Sequence, residues 1–205
     1  MSEATSEERP HEKAVLRKRL RAMLAAQSPE DRHARSLAAT SLLTATPEFA
    51  AARIVMLYLS MPHELDTTTL ALRCWQQGKM VVVPKVSWEQ RRMIPVEINS
   101  LSDEHLTVTG PGIREPIAEN PMPVNMVDLV IVPALGFTQN GHRLGRGMGF
   151  YDRFLGQRSF LGVSCGVAFE DQVVPEMPAQ DHDVPIAMLV TDRQVRRFKA
   201  FCMKT

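Results

Sequence analysis

Arg53-Ile54-Val55-Met56-Leu57-Tyr58-Leu59-Ser60 is an unbroken apolar run, closed soon after by Pro62. It is too short for an ordinary helix and too uniformly apolar to leave one face wet. It reads as a strand buried on both faces, the mark of a parallel sheet covered by helices. Upstream, residues 12–27 carry a helical stripe of Leu16, Leu20, Met23 and Leu24, with Lys13, Arg17, Lys18, Arg19 and Arg21 on the opposite surface. Ser28-Pro29-Glu30-Asp31 then caps and starts a second helix, which runs to about residue 43. Downstream, Asp66 or Thr67 opens a third helix, ended by Gly78. Residues 79–86 read as a second buried strand and 92–98 as its partner. Residues 110–116 read as a rigid, irregular connector, and 127–133 as another buried strand. A helix begins over 150–155, and 161–168 and 186–191 are the last strands. Buried strands alternating with helices predict an α/β protein: one domain with a mostly parallel central sheet and helices on both faces. Residues 1–10 are expected to be a flexible tail and 11–205 the single domain. Sheets of this kind bind ligands in the loops beyond the carboxyl ends of their strands.

The totals narrow the function. A chain of 205 residues with a net charge of +1 sets up no strong global field, so neither nucleic acid nor an anionic membrane is an expected partner. The three cysteines, Cys74, Cys165 and Cys202, are far apart and include no C-x-x-C pair, which argues against a disulfide framework or zinc knuckle. Cys74 and Cys165 are expected to be packed thiols. The acidic, polar N-terminus does not read as a signal peptide, and no apolar stretch approaches the ~20 residues that span a bilayer. A cytoplasmic monomer is the expectation.

The strongest local feature is Arg143-Leu-Gly-Arg-Gly-Met-Gly-Phe-Tyr-Asp-Arg153. Glycines at 145, 147 and 149 stand just before a helix. They admit left-handed backbone angles and let main chain approach a ligand. A loop that feeds a helix N-terminus aims several amides and the positive dipole end at one point, which suits phosphate. Arg143 and Arg146 add charge with the fork geometry that phosphate accepts. The segment is neither a Walker A loop nor a dinucleotide fingerprint. On spacing alone, a phosphate cradle and a tight structural turn stay equally open. Asp152 either helps hold magnesium beside a phosphate or simply favours a helix N-terminus. Lys13 and Arg17 lie one turn apart; they either clamp a polyphosphate or form a solvated basic face, and the helix alone favours the latter. Glu64, in Met61-Pro-His-Glu-Leu-Asp-Thr67, either accepts hydrogen bonds from a heterocycle or caps the next helix. In Gln180-Asp-His-Asp183 no second histidine stands at ligand spacing, so a hard cation on an aspartate is more plausible than a transition metal. His11, His33, His63, His105 and His142 read as surface or loop residues.

Taken in order, these segments resemble the 5-formyltetrahydrofolate cyclo-ligase family. The resemblance runs from Lys13 to Asp192 and includes Lys13-Ala-Val-Leu-Arg17, Tyr58-Leu-Ser-Met-Pro-His-Glu-Leu-Asp66, Gly112-Ile-Arg-Glu-Pro116, Asp128-Leu-Val-Ile-Val-Pro133, Gly136-Phe137 and His182-Asp183. Its most specific block is Asn140-Gly-His-Arg-Leu-Gly-Arg-Gly-Met-Gly-Phe-Tyr-Asp152. The resemblance implies a fold related to sugar isomerases and CoA transferases. It also implies ATP- and magnesium-dependent cyclisation of 5-formyltetrahydrofolate to 5,10-methenyltetrahydrofolate, with release of ADP and phosphate.

Carried over by position, the implied ATP site is Lys13, Arg17, Arg143, Gly145, Arg146, Gly147, Met148, Gly149, Phe150 and Tyr151. The implied folate pocket is Leu59, Glu64 and Tyr151, the metal ligands Asp152 and Asp183, and the catalytic residues Arg146 and Asp152. Met148 stands where many members carry lysine or glycine, and Ala187 where many carry an acid. Those departures are what a catalytically silent folate- or nucleotide-binding homologue would show. Fold analogy alone would also allow a sugar-phosphate isomerase or an acyl-CoA transferase.

Overall fold

The computed structural model describes residues 8–109, 112–178 and 183–198. In chain order its helices are α1 (Glu8–Ala25), α2 (Pro29–Thr44), α3 (Pro47–Ala51), α4 (Thr68–Gln76) and α5 (Phe150–Leu155). Its strands are β1 (Ile54–Met56), β2 (Met80–Ser87), β3 (Arg92–Ile98), β4 (Leu106–Thr109), β5 (Ile113–Pro116), β6 (Leu129–Val132), β7 (Gly136–Thr138), β8 (Arg143–Leu144), β9 (Val163–Ala168), β10 (Val173–Val174), β11 (Met188–Thr191) and β12 (Val195–Arg197). Seven strands form the central sheet in the order β12-β11-β9-β6-β1-β2-β3. The five inner strands are parallel to one another. The edge strands β3 and β12 run antiparallel to theirs.

The sheet is dry on both faces because its inner strands alternate between two cores. Val55 and Leu57, Val81 and Val83, and Leu129 and Ile131 join the core under α1 to α4. Ile54 and Met56, Val82, and Val130 and Val132 join the core under α5 and Phe137. This is the layered α/β architecture expected from the apolar runs.

Several boundaries differ from expectation, each for a physical reason. The first strand leaves the sheet after Met56, although residues 57–59 stay buried. Tyr58 instead turns its hydroxyl to donate to the Leu65 carbonyl at 3.0 Å. The segment expected to be an irregular connector is partly strand: β4 and β5 pair antiparallel, and buried Glu115 accepts from the Val86 amide at 2.8 Å. Gly110 and Pro111 lie outside the described residues. The first helix begins at Glu8, so residues 8–10 are not tail; residues 1–7 lie outside the described residues.

Helix α1 also turns an unexpected face inward. Lys13 is buried with Leu20 and Leu24, while Lys18 and Arg19 remain exposed. The solvated-face reading therefore holds for part of the basic surface and fails for Lys13.

Candidate active site

The ends of β1 and β2 and the segment after β6 open onto one cavity of about 520 Å³. Leu59 and Met61 come from the chain after β1, Pro84 and Val86 from β2, and Pro133 from the exit of β6. Trp88, just past β2, stands edge-on to Phe150 with ring centroids 5.4 Å apart. These side chains make a largely apolar wall. Lys13, Arg17 and Arg21 from α1 supply a cationic part of the lining, and Arg17 reaches the glycine-rich segment.

A small hairpin delivers that segment. Strand β7 pairs with β8 across the Asn140-Gly141 turn, where Gly141 sits at φ +84°, a left-handed angle suited to glycine. The chain leaves β8 into Gly145, whose carbonyl accepts from Arg17 Nε at 3.0 Å. Gly147 has φ +109° and Gly149 φ +64°, so both positions demand glycine-like freedom. Gly149 is the residue from which α5 starts, and Asp152 lies in the first turn. Arg153 ties the loop down by donating to the Met148 carbonyl at 2.6 Å and to the Arg91 carbonyl at 2.7 Å.

Six charged groups of the cavity form three pairs. Lys13 Nζ lies 2.8 Å from Asp183 Oδ2, joining α1 to the segment before β11. Arg143 Nη2 donates to Asp152 Oδ1 at 2.6 Å, and its Nη1 donates to the Val184 carbonyl. Burial lowers the Arg143 guanidinium from its ordinary pKa, opposed by the nearby charges of Asp152 and Asp183. Arg146 Nη2 lies 2.7 Å from Glu64 Oε1, and Glu64 Oε2 accepts from the Met61 amide at 2.9 Å. The Tyr151 hydroxyl is buried and has no hydrogen-bond partner among the described residues. Burial, reinforced by Glu64, pushes that phenol well above its ordinary pKa, so it stays a neutral donor.

A cavity with an apolar wall, a cationic wall and a backbone cradle suits a heterocycle bound next to a phosphate chain. A family model described as the 5-formyltetrahydrofolate cyclo-ligase family matches residues 9–192. The chain belongs to this family. The mouse 5-formyltetrahydrofolate cyclo-ligase is 29% identical over 183 residues, covering 85% of this chain and 88% of the relative. That of Escherichia coli is 29% identical over 184 residues, covering 88% and 98%. The solved 5,10-methenyltetrahydrofolate synthetase of Aquifex aeolicus superposes with a TM-score of 0.79 at 33% identity, covering 91% of this chain and 93% of that one. The chain is thus a ligase of folate metabolism, and no helix among the described residues is long and apolar enough to cross a membrane.

Every site residue named from the cyclo-ligase resemblance lines this one cavity, from Lys13 and Arg17 through Leu59, Glu64 and residues 143–152 to Asp183. Glu64 makes no cap for α4: the helix starts after Thr67, and Asp66 accepts from the Thr68 amide at 2.9 Å. His182 lies outside the described residues. Reading the sequence missed Tyr58, Pro84, Val86, Trp88 and Arg114 as cavity residues. Pro84, Val86 and Trp88 had a usable signal, because they stand at and beyond the carboxyl end of a buried parallel strand. Arg114 lay inside a quoted motif without a role; its Nη2 reaches the Ser60 carbonyl at 3.4 Å.

Proposed function

We propose that this chain converts 5-formyltetrahydrofolate and ATP to 5,10-methenyltetrahydrofolate, ADP and phosphate in a magnesium-dependent reaction. The supporting observation is the single cavity that holds the apolar wall, the cationic wall and the glycine loop together. Lys13, Arg17 and Arg146 neutralise the polyphosphate, and the backbone of residues 145–151 cradles it under Arg143, Met148 and Phe150. Glu64 accepts N–H donors of the pterin, while Leu59 and Tyr151 cover its faces. The formyl oxygen attacks the terminal phosphorus as the bond to ADP breaks. The neighbouring folate amine then adds to the activated carbon and loses its proton. The carbon–oxygen bond to phosphate breaks and the ring closes.

The protein's task in this sequence is positioning and charge neutralisation, with no protein nucleophile. Cys74 and Cys165 fit that reading, since both are buried and burial pushes the Cys74 thiol up to about 12.

The donor set fits magnesium. Asp152 and Asp183 present hard oxygen ligands in one cavity, and among the described residues no cluster of three metal-ligating side chains exists. Two carboxylates with phosphate oxygens and water are what magnesium takes, whereas a transition metal asks for more. Both described hydrogen bonds to the Asp152 carboxylate fall on Oδ1. Held there, magnesium would supply charge neutralisation between the phosphates.

The test is direct. Purified protein is mixed with 5-formyltetrahydrofolate, ATP and magnesium, and the near-ultraviolet band of the conjugated methenyl product is followed. The reading requires that band, with stoichiometric ADP. Folate and nucleotide binding without any product would identify a silent homologue, and a band formed without ATP would overturn the phosphorylation step.

A further inference from the structure

Two groups given separate tasks above are bound to each other. Arg146, assigned to the phosphates, places Nη2 2.7 Å and Nε 3.2 Å from Oε1 of Glu64, assigned to the pterin. Glu64 Oε2 is taken by the Met61 amide, so both oxygens are engaged while the two side chains face each other. The Glu64 side chain is only 15% exposed, against 43% for Arg146. The acid is thus the fixed member and the guanidinium the movable one. Arg146 also stands between Gly145 and Gly147, on the part of the loop with the least steric restriction; a Cβ at Gly145 would meet nothing within 4 Å.

We propose that Arg146 exchanges partners between Glu64 and the nucleotide phosphates, and that this exchange makes the two substrates bind cooperatively. The inference rests on the functional reading above and deepens it. Glu64 holds the Nε–Nη2 edge of the guanidinium, so a phosphate that takes that edge must displace the carboxylate. A chain of phosphates carries several charges and accepts the guanidinium fork as well as a carboxylate does. Nucleotide binding therefore draws Arg146 away and leaves Oε1 open to the N–H donors of the pterin. By linkage, folate that takes Glu64 releases Arg146 toward the phosphates, and the two effects are equal in size. The sign is diagnostic. Nucleotide and folate are both anions, so their mutual repulsion alone would make each weaken the other. Exchange at Arg146 makes each strengthen the other, by about two- to fivefold, the worth of a partly exposed ion pair.

The experiment is a calorimetric titration with a non-hydrolysable ATP analogue plus magnesium and with 5-formyltetrahydrofolate, each alone and then with the other saturating. The wild type should bind folate about two- to fivefold tighter in the presence of the analogue. Because Arg146 also serves the nucleotide, the decisive variants are read without folate. Glu64→Gln releases Arg146 and should tighten the analogue by a similar factor, whereas in an Arg146→Gln background the same Glu64→Gln change should leave analogue affinity unaltered. The proposal is overturned if both ligands bind the wild type independently or antagonistically. It is equally overturned if Glu64→Gln leaves analogue affinity unchanged, or gives the same gain with Arg146 absent. A wild-type protein that binds neither ligand overturns the functional reading itself.

Discussion

Arg143 Nη2 lies 2.6 Å from Asp152 Oδ1, and the same guanidinium donates to the carbonyl of Val184. One buried side chain thereby joins β8, the first turn of α5 and the segment that carries Asp183. The Arg143 side chain is 4% exposed and that of Asp152 24%, so this pair is largely withdrawn from water. From sequence, Arg143 was expected at the phosphates. It lines the cavity and also holds this junction together.

Arg143→Met should therefore lower stability more than a surface change would. It leaves Asp152 and the Val184 carbonyl without their donor, and breaking a buried pair from one side costs about 3–5 kcal/mol. Urea unfolding should show a lower midpoint with an unchanged slope. Arg143→Lys should recover only part of the loss, because an ammonium cannot span both acceptors as a guanidinium does. A wild-type midpoint in Arg143→Met would show that the pair does not hold this junction.

Asp152→Asn separates charge from shape. The amide oxygen can still accept from Arg143 and from the Val184 amide, which the carboxylate meets at 3.2 Å. The thermal midpoint should fall less than in Arg143→Met, because the hydrogen bonds remain while the buried guanidinium loses its counter-charge. Turnover should fall on the order of 100-fold, the scale for losing one charge-stabilising group, with more magnesium needed for half-maximal rate. Near wild-type turnover with an unchanged magnesium requirement would place the metal elsewhere.

How much of this was legible follows from the range of the forces. Runs such as Ile54-Val55-Met56-Leu57 are dry on both faces wherever they are placed, so composition alone announces the layered sheet. The cavity motifs were legible as residues but not as pairs. Nothing local says that Lys13 meets Asp183 across 170 positions or that Arg146 faces Glu64 across 82. Two missed elements did carry local signals. Thr46-Pro47-Glu48 repeats the start chemistry of Ser28-Pro29-Glu30, and Thr46 Oγ1 indeed accepts from the Phe49 amide at 3.2 Å. Asn140-Gly141 is a strong hairpin dipeptide, hidden because the strands on either side are only three and two residues long.

Acid should weaken the far edge of the sheet as pH falls through and below the ordinary carboxylate range. Hydrogen bonding to Arg196 is the largest cause that holds the Glu170 carboxyl down at about 2, and Thr191 adds to it. A carboxylate depressed in the folded state contributes stability that is fully present above its unfolded value near 4.5 and is lost as pH falls toward 2. Asp192, beside Arg35, and Glu48, beside Arg197, are shifted in the same direction. The urea midpoint should thus drop steadily between about pH 4.5 and pH 2, and Glu170→Gln should flatten that slope. An equally steep slope in Glu170→Gln would assign the acid sensitivity to other groups.

Met148 marks where this chain departs from many family members, and the structure says what a charge there would do. The residue is 50% exposed at the cavity, while its carbonyl is pinned by Arg153 at 2.6 Å. The backbone is therefore held independently of the side chain, and Met148→Lys should leave the loop in place. The new ammonium would stand beside the proposed phosphate site in partly screened surroundings. Its expected effect is a KM for ATP lowered about two- to fivefold, the worth of one exposed charge pair, with kcat little changed. That gain should shrink as salt rises from about 0.05 to 0.5 M, because the Debye length falls well below the reach of a long side chain's field. An unchanged KM for ATP at low salt would place this side chain away from the phosphates and remove Met148 from the nucleotide site.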